Sequence, residues 1–349
     1  MGDRRGLETE LVPMAGFPFA AISAGKLRRY LAWRTFTDLG RVPISLVQAI
    51  HHLRAFRPAV VFTSGGYVAV PAGFAARMAK VPLLIHQQDV SPNLANRLIA
   101  PLATRISVSF ADSLRYFPPA KTTLMGNPVR EAILRVAGGD RAAAKRRLGL
   151  QADWPVLLIT GGSQGARHLN QVVVGALPYL LPHSQIVQIS GKQLYGEARN
   201  NADLVLAGQP DWRNRYHLYP YLDEQMADAL LAADLVICRA GAATLSELAV
   251  LGVPSLLVPL PPGFGGSPQE ANAAMFVRAG AAEMIEDKAL TIERLARAVL
   301  ALLRDGERLA IMRRMAASLA RPHAAQEIAA AIVALAKTNM ATSYTFCIL

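Results

Sequence analysis

The sequence predicts an α/β protein built of two parallel-sheet domains, and three observations carry that prediction. Short apolar runs of the kind that strands buried on both faces require, such as Ala59 to Thr63 and Val156 to Thr160, alternate with amphipathic stretches of helical period. The runs end in small-residue turns, Ser64-Gly65-Gly66-Tyr67 and Gly161-Gly162-Ser163 among them. The alternation occurs as two successive series joined near Arg130, and a chain of 349 residues exceeds one comfortable core. Two such domains are expected to face each other across a cleft.

Composition narrows the partners. Hydrophobic residues at 52% and charged residues at only 18% exclude a disordered chain. The excess of 37 basic over 25 acidic residues, a net +12, favours an anionic partner: nucleic acid, a phosphorylated substrate or an anionic membrane surface. Aromatics are sparse at 7% and no recognised nucleic-acid motif occurs, so nucleic acid ranks last and is not expected as a partner. Cys238 and Cys347 make neither a disulfide framework nor a metal-ligand set, and a reducing cytoplasm fits them. MGDRRGLETE has no apolar core behind its charges and is not a signal peptide. The long uncharged run Leu248 to Gln269 is broken by Pro254, Pro259, Pro261 and Pro262, so any membrane contact is expected to be peripheral.

Along the chain, Lys26 to Phe36 interleaves the cations Lys26, Arg28, Arg29 and Arg34 with apolar residues that include Trp33 and Phe36. Two readings stay open: a surface for anionic headgroups, or an ordinary amphipathic segment with its apolar side in the core. Ala59 to Thr63 reads as a strand, Val70 to Lys80 as a helix and Val81 to His86 as a second strand ending in His86-Gln87-Gln88-Asp89. Ser91 reads as the cap of the next helix, with Pro92 at its first position. Strands at Arg105 to Ser109 and Thr122 to Met125 complete the first half. GNPVR (Gly126 to Arg130) and the basic helix Arg141 to Leu148 form a bridge. In the second series, strands follow at Val156 and near Ile186, His217 and Leu235, and amphipathic helices at Ile292 to Leu303 and Ala324 to Ala336. Ligands of such sheets sit beyond the carboxyl ends of the strands, where the glycine turns and His86-Gln87 fall. The final NMATSYTFCIL shows no structural role.

The chemistry centres on Leu235 to Pro261. A strand, Leu235 to Cys238, runs into Arg239-Ala240-Gly241-Ala242-Ala243-Thr244, a turn with almost no bulk, and then into a helix. A ligand can approach that backbone closely, and free N–H groups at the helix start suit a pyrophosphate. Glu247, one turn further, either reaches a ribose diol or simply favours the start of a helix; the turn alone leaves both readings open.

Taken together, GGYVAVP (Gly65 to Pro71), HQQD (His86 to Asp89), GNPVR, GGSQGAR (Gly161 to Arg167) and CRAGAATLSE (Cys238 to Glu247) resemble the MurG family of bacterial N-acetylglucosaminyltransferases, over about Asp3 to Ala336. The resemblance implies a GT-B fold: an acceptor and membrane-side domain at 1–129, a UDP-sugar domain at 130–321, a helix near 322–337 packing back on the first domain, and a tail at 338–349. It implies inverting transfer of N-acetylglucosamine from UDP-N-acetylglucosamine to the muramoyl C4 hydroxyl of lipid I, with no metal and no cofactor. The expected setting is the cytoplasmic face of the inner membrane, with Lys26, Arg28, Arg29, Trp33, Arg34 and Phe36 toward the headgroups. Carried over by position, Asp89, Arg130, Ser163, Leu222, Ala242, Ala243, Thr244, Leu245, Ser246, Glu247 and Gln269 bind the donor, and Gly65, Gly66 and Tyr67 face the acceptor. Within that set Glu247 takes the ribose, Arg130 the phosphate or sugar end, Gln269 the sugar hydroxyls and the Leu222 backbone the uracil.

Two departures qualify the expectation. The family opens on a strand and a GGTGGH loop that this sequence starts too late to contain, so the N-terminal domain is expected to lack its first strand and loop. The family's HEQN reads His86-Gln87-Gln88-Asp89, with an amide in place of a carboxylate. His86 is then the candidate general base. The alternatives are a UDP-sugar-binding protein at the membrane that does not transfer, and a related GT-B enzyme with another acceptor or a UDP-sugar epimerase.

Overall fold

The computed structural model describes residues 1–349 apart from 5, 7, 24–32, 163–164, 262–268, 340–344 and 349. The chain forms two compact units, Met1–Asn127 with His323–Leu349, and Pro128–Pro322.

In the first unit a small parallel pair, β1 (Gly2–Asp3) and β2 (Ala21–Ile22), stands apart from the main sheet. The main sheet is parallel and contains β3 (Pro58–Thr63), β4 (Leu83–Gln87), β5 (Arg105–Val108) and β6 (Thr122–Leu124), hydrogen-bonded in chain order. Helices cover both faces, which is why these strands are apolar without alternation. On one face Ala49 and Leu53, from the Trp33–Phe56 helix, and Ala75 and Ala76, from the Ala69–Met78 helix, pack against Val61, Leu83 and Ile85. On the other, Ile328, Ala331, Leu335 and Ala336 of the Ala324–Asn339 helix close over Ala59, Val60 and Leu84.

The second unit contains β7 (Val156–Thr160), β8 (Gln185–Ile189), β9 (Tyr216–Tyr219), β10 (Leu235–Cys238), β11 (Ser255–Leu257) and β12 (Ala282–Met284), in the order β12-β11-β10-β7-β8-β9. The chain runs outward from β7 through β8 to β9, then returns to β10 on the other side of β7. The C-terminal ends of β7 and β10, where Thr160 and Cys238 are paired, therefore form the switch point of a doubly wound sheet.

The structure differs from the sequence reading at two places. The helix expected to start at Ser91 runs Leu94–Ile99 and is capped by Asn93, whose side chain accepts the Asn96 N–H at 2.8 Å. Ser91 is engaged elsewhere: its carbonyl accepts a hydrogen bond from Gln87 Nε2 at 3.1 Å. The tail, which carries no obvious signal, supplies a strand, β13 (Thr345–Ile348), parallel to β3 with Cys347 opposite Val61. It covers a sheet edge that would otherwise leave backbone groups unpaired.

Candidate functional site

In the second unit, β7 and β10 each lead through a small-residue turn into a helix. After β7, Gly162 and Gly165 take positive φ values of 84° and 76°, and the Gly165 N–H closes the turn on Gly162 O at 2.9 Å. The Arg167–Leu180 helix then begins with no side-chain cap. Ser163 lies outside the described residues.

After β10, Gly241 is the N-cap of the Ala242–Leu251 helix, again with no side-chain cap. The first intrahelical bond is Leu245 N–H to Gly241 O at 3.0 Å, which leaves the Ala242, Ala243 and Thr244 N–H groups at the helix mouth. Ala243 is exposed and Thr244 half-buried, so the mouth is open to solvent. Two uncapped helix starts at one switch point make a seat for a diphosphate, through aligned N–H groups and the positive end of each helix dipole.

Polar side chains brace this mouth. Asn272 Nδ2 donates to Ala240 O at 3.0 Å, and Gln269 Oε1 accepts from Leu260 N–H at 3.0 Å, on the helix that begins beside Gly241. Arg239 turns away from the mouth: it pairs with Asp287 at 2.6 Å and donates to Val258 O at 3.1 Å. Sequence reasoning missed Asn272 and Asp287. Asn272 carried a usable signal, since it stands three residues after Gln269 on the same helix and so shares its face.

Arg130 and Glu247 meet. Nε donates to Glu247 Oε1 at 2.6 Å and Nη2 to Oε2 at 2.9 Å, a two-point fork. The Glu247 side chain is 9% exposed and that of Arg130 49%. The carboxylate, then more weakly Tyr221 and Asp223, holds the guanidinium pKa above its ordinary value, against the opposing effect of burial. Leu222, between those two residues, is buried.

Two of the expected donor residues also serve the helix itself. The Leu245 side chain lies fully in the core and its N–H is spent within the helix, while Ser246 Oγ donates back to Ala242 O at 2.9 Å. Both thus also serve the Ala242–Leu251 helix, and their place among the donor contacts stays an expectation.

In the first unit, Gly65 and Gly66 follow β3 with φ of 100° and 83°. A Cβ at Gly65 would stand 2.6 Å from Asn93 Nδ2, whereas the space beside Gly66 is open. Tyr67 donates its hydroxyl to Asp3 Oδ2 at 2.6 Å, and burial together with that carboxylate raises the phenol pKa. Lys26, Arg28 and Arg29 lie outside the described residues; Trp33, Arg34 and Phe36 belong to the Trp33–Phe56 helix, where only their backbone is described.

His86, the candidate base, is 1% exposed. Its Nδ1 is 2.9 Å from Ser107 Oγ and its Nε2 is 3.2 Å from Asn127 Oδ1, so both ring nitrogens serve internal hydrogen bonds. That geometry favours a structural role for His86 over the catalytic one, because a base must be within reach of the attacking hydroxyl. Gln87 is equally committed. Its Nε2 donates to Asp89 O at 2.8 Å and to Ser91 O at 3.1 Å, and its Oε1 accepts from Asn96 at 2.8 Å. A carboxylate at position 87 would set an acceptor against both carbonyls, which is the physical sense of an amide there. Asp89, half-buried just beyond β4, belongs to this first unit, whereas the other expected donor residues belong to the second.

Burial lowers the His86 pKa, with the Asn127 hydrogen bond opposing, and burial alone lowers that of His217. The unfolded chain takes up these protons near the ordinary value of about 6.5. Stability from the neutral rings is therefore complete above that pH and is lost as pH falls from there toward the folded values. Urea unfolding from pH 7 down to pH 5 should show stability falling by up to about 1.4 kcal/mol per pH unit for each such ring, with a shallower slope in His86→Asn. An unchanged slope in the variant would mean that His86 does not titrate on unfolding.

The site can now be set beside known proteins. Residues 1–108 match the glycosyltransferase family 28 N-terminal domain and residues 156–328 the family 28 C-terminal domain. The UDP-N-acetylglucosamine–N-acetylmuramyl-(pentapeptide) pyrophosphoryl-undecaprenol N-acetylglucosamine transferase of Halothermothrix orenii is 37% identical over 330 residues, covering 93% of this chain and 87% of that one. The crystal structure of Acinetobacter baumannii MurG superposes with a TM-score of 0.74 at 27% identity, covering 95% and 89% of the two chains. The chain belongs to the MurG family of glycosyltransferases. Its two α/β units are those of the family's GT-B fold. A Listeria monocytogenes protein described as a UDP-N-acetylglucosamine 2-epimerase shares that fold at 17% identity, with a TM-score of 0.62 over 89% of this chain and 83% of that one. Within the MurG family frame, the uncapped Ala242–Leu251 helix, Gln269 and the Arg130–Glu247 fork all lie in the second unit, and all of them but Arg130 fall within the residues matched by the C-terminal family domain.

Proposed function

We propose that this chain transfers N-acetylglucosamine from UDP-N-acetylglucosamine to the muramoyl C4 hydroxyl of lipid I, with inversion at the anomeric carbon and departure of UDP. The observation that carries the reading is the uncapped start of the Ala242–Leu251 helix at the switch point between β7 and β10. The N–H groups of Ala242, Ala243 and Thr244 receive the diphosphate, together with the uncapped start of the Arg167–Leu180 helix, and Ser163 is a further donor contact. Glu247 takes the ribose diol, the backbone at Leu222 the uracil, and Gln269 the sugar hydroxyls. Arg130 neutralises charge on the leaving diphosphate, and Asp89 is a further contact to the donor.

Gly65, Gly66 and Tyr67 form the acceptor side of the first unit. No described helix is long and apolar enough to cross a membrane. We place the chain as a peripheral protein on the cytoplasmic face of the inner membrane, with Lys26, Arg28, Arg29, Trp33, Arg34 and Phe36 toward the headgroups. Exposed Ile44 and Val47, on the helix that begins at Trp33, support that orientation.

Calorimetry tests the donor site. UDP should bind the full chain, and Glu247→Ala should weaken binding by roughly 1–3 kcal/mol, the worth of a charged hydrogen-bond acceptor. Equal affinity in the variant would remove the ribose contact from the scheme. The second reading, a UDP-sugar-binding protein that does not transfer, is favoured by the amide at Gln87 and the burial of His86. Turnover of UDP-N-acetylglucosamine with a lipid I analogue decides between them.

A further inference from the structure

We propose that the Arg130–Glu247 ion pair is a latch on the nucleotide site, which a ribose diol must open and whose opening delivers Arg130 to the phosphates. The inference rests on the donor site just described and adds an order of events to it.

Both oxygens of the Glu247 carboxylate are occupied, one by Nε and the other by Nη2 of the same guanidinium. The carboxylate is almost buried, while Arg130 is about half-exposed. A ligand arriving from solvent therefore meets the guanidinium before it meets the carboxylate. A diol that is to donate to Glu247 has to take the place of the Arg130 fork, and a neutral diol is a weaker partner for a carboxylate than a two-point guanidinium. The exchange becomes favourable only if the displaced cation finds another anion.

The helix geometry supplies one. Glu247 is the sixth residue of the helix that starts at Ala242, so its backbone lies roughly 4.5–7.5 Å along the axis from the free N–H groups. A guanidinium released from Glu247 is thus within a side-chain swing of a diphosphate seated at the helix mouth. Tyr221 and Asp223 also favour the charged form of Arg130. Diol and phosphates then cooperate: the diol frees the cation, and the phosphates reward its release. A nucleoside without phosphates bears the whole cost of opening, and a phosphate without the diol leaves the latch closed.

The test compares uridine with UDP on the full chain, using calorimetry for UDP and ligand-observed NMR for uridine. In Arg130→Gln the latch is gone, so uridine should bind about tenfold more tightly than to the wild type, while UDP gains nothing or loses affinity. The ratio of UDP to uridine affinity should fall by about tenfold or more. Arg130→Lys keeps the charge without the two-point fork and should fall between the two for uridine, and melting curves confirm that each variant is folded. A uridine affinity unchanged or lowered in both variants, with UDP still binding the wild type, would overturn the latch alone. Failure of UDP to bind the wild type would overturn the donor-site reading and the latch with it.

Discussion

Arg130→Ala is expected to slow transfer of N-acetylglucosamine to a lipid I analogue by about a hundredfold or more in kcat, the range found when one fixed electrostatic partner of a developing charge is removed. As the glycosidic bond breaks, negative charge builds on the diphosphate of the departing UDP, and the helix mouth at Ala242 to Thr244 offers only partial charges to meet it. Arg130, forked to Glu247 on that same helix, brings a full charge to the site, and the pairing keeps it charged at any physiological pH. An interaction that grows as the bond breaks lowers kcat. One made equally to bound substrate and transition state raises KM and leaves kcat alone. Steady-state release of UDP separates the two: a loss confined to KM would reduce Arg130 to a binding residue, and a kcat within a few-fold of wild type would remove it from the chemistry.

The sheets were legible because their strands are buried on both faces. Val156–Thr160 is five consecutive buried residues, and a run of that kind between glycine turns has few other interpretations. The helix mouth after Cys238 was legible for the opposite reason, since a stretch without bulk between strand and helix advertises close backbone approach. Pairings between distant residues were not legible. Arg130 and Glu247 are 117 positions apart, and each carries its own local explanation as a phosphate ligand or a ribose ligand. Only the folded chain shows that they occupy one another.

The burial of His86 was hidden from the sequence for a related reason. Position at a strand end says where the backbone goes, but the Ser107 and Asn127 partners that bury the ring come from neighbouring strand and loop segments. The tail strand is the extreme case, because Thr345–Ile348 pairs with a strand that begins at Pro58 and has no turn signal tying the two together. The helix start expected from Ser91 shows a smaller failure of the same sort: the cap is Asn93, two residues further on, whose side chain accepts the Asn96 N–H.

Gly165→Ala should be the most damaging small substitution in the glycine turn, lowering the stability of the second unit by about 3 kcal/mol or more, through overpacking and a strained dihedral together. Gly165 has φ of 76°, and an added Cβ would overlap Ser190 O and approach Leu194 Cδ1 at 3.0 Å. The carbonyl cannot yield. Ser190 O accepts from Asn170 Nδ2 at 2.9 Å, and the Ser190 N–H is tied to Tyr219 O at 3.0 Å, so moving it disturbs both the Arg167–Leu180 helix and the end of β9. Gly162 provides the control within the same turn: its φ is 84°, but a Cβ there meets nothing within 4 Å. Gly162→Ala should therefore lose only the dihedral preference, about 1 kcal/mol. For a unit of this size each kcal/mol moves the midpoint by about 2–4 °C, which places the two melting temperatures about 4–8 °C apart in calorimetry. Equal shifts would show that the turn relaxes around a methyl group and that backbone conformation alone selects glycine at both positions. If Gly165→Ala remains folded at low temperature, UDP binding should weaken as well, because the displaced turn carries the start of the Arg167–Leu180 helix away from the phosphate seat.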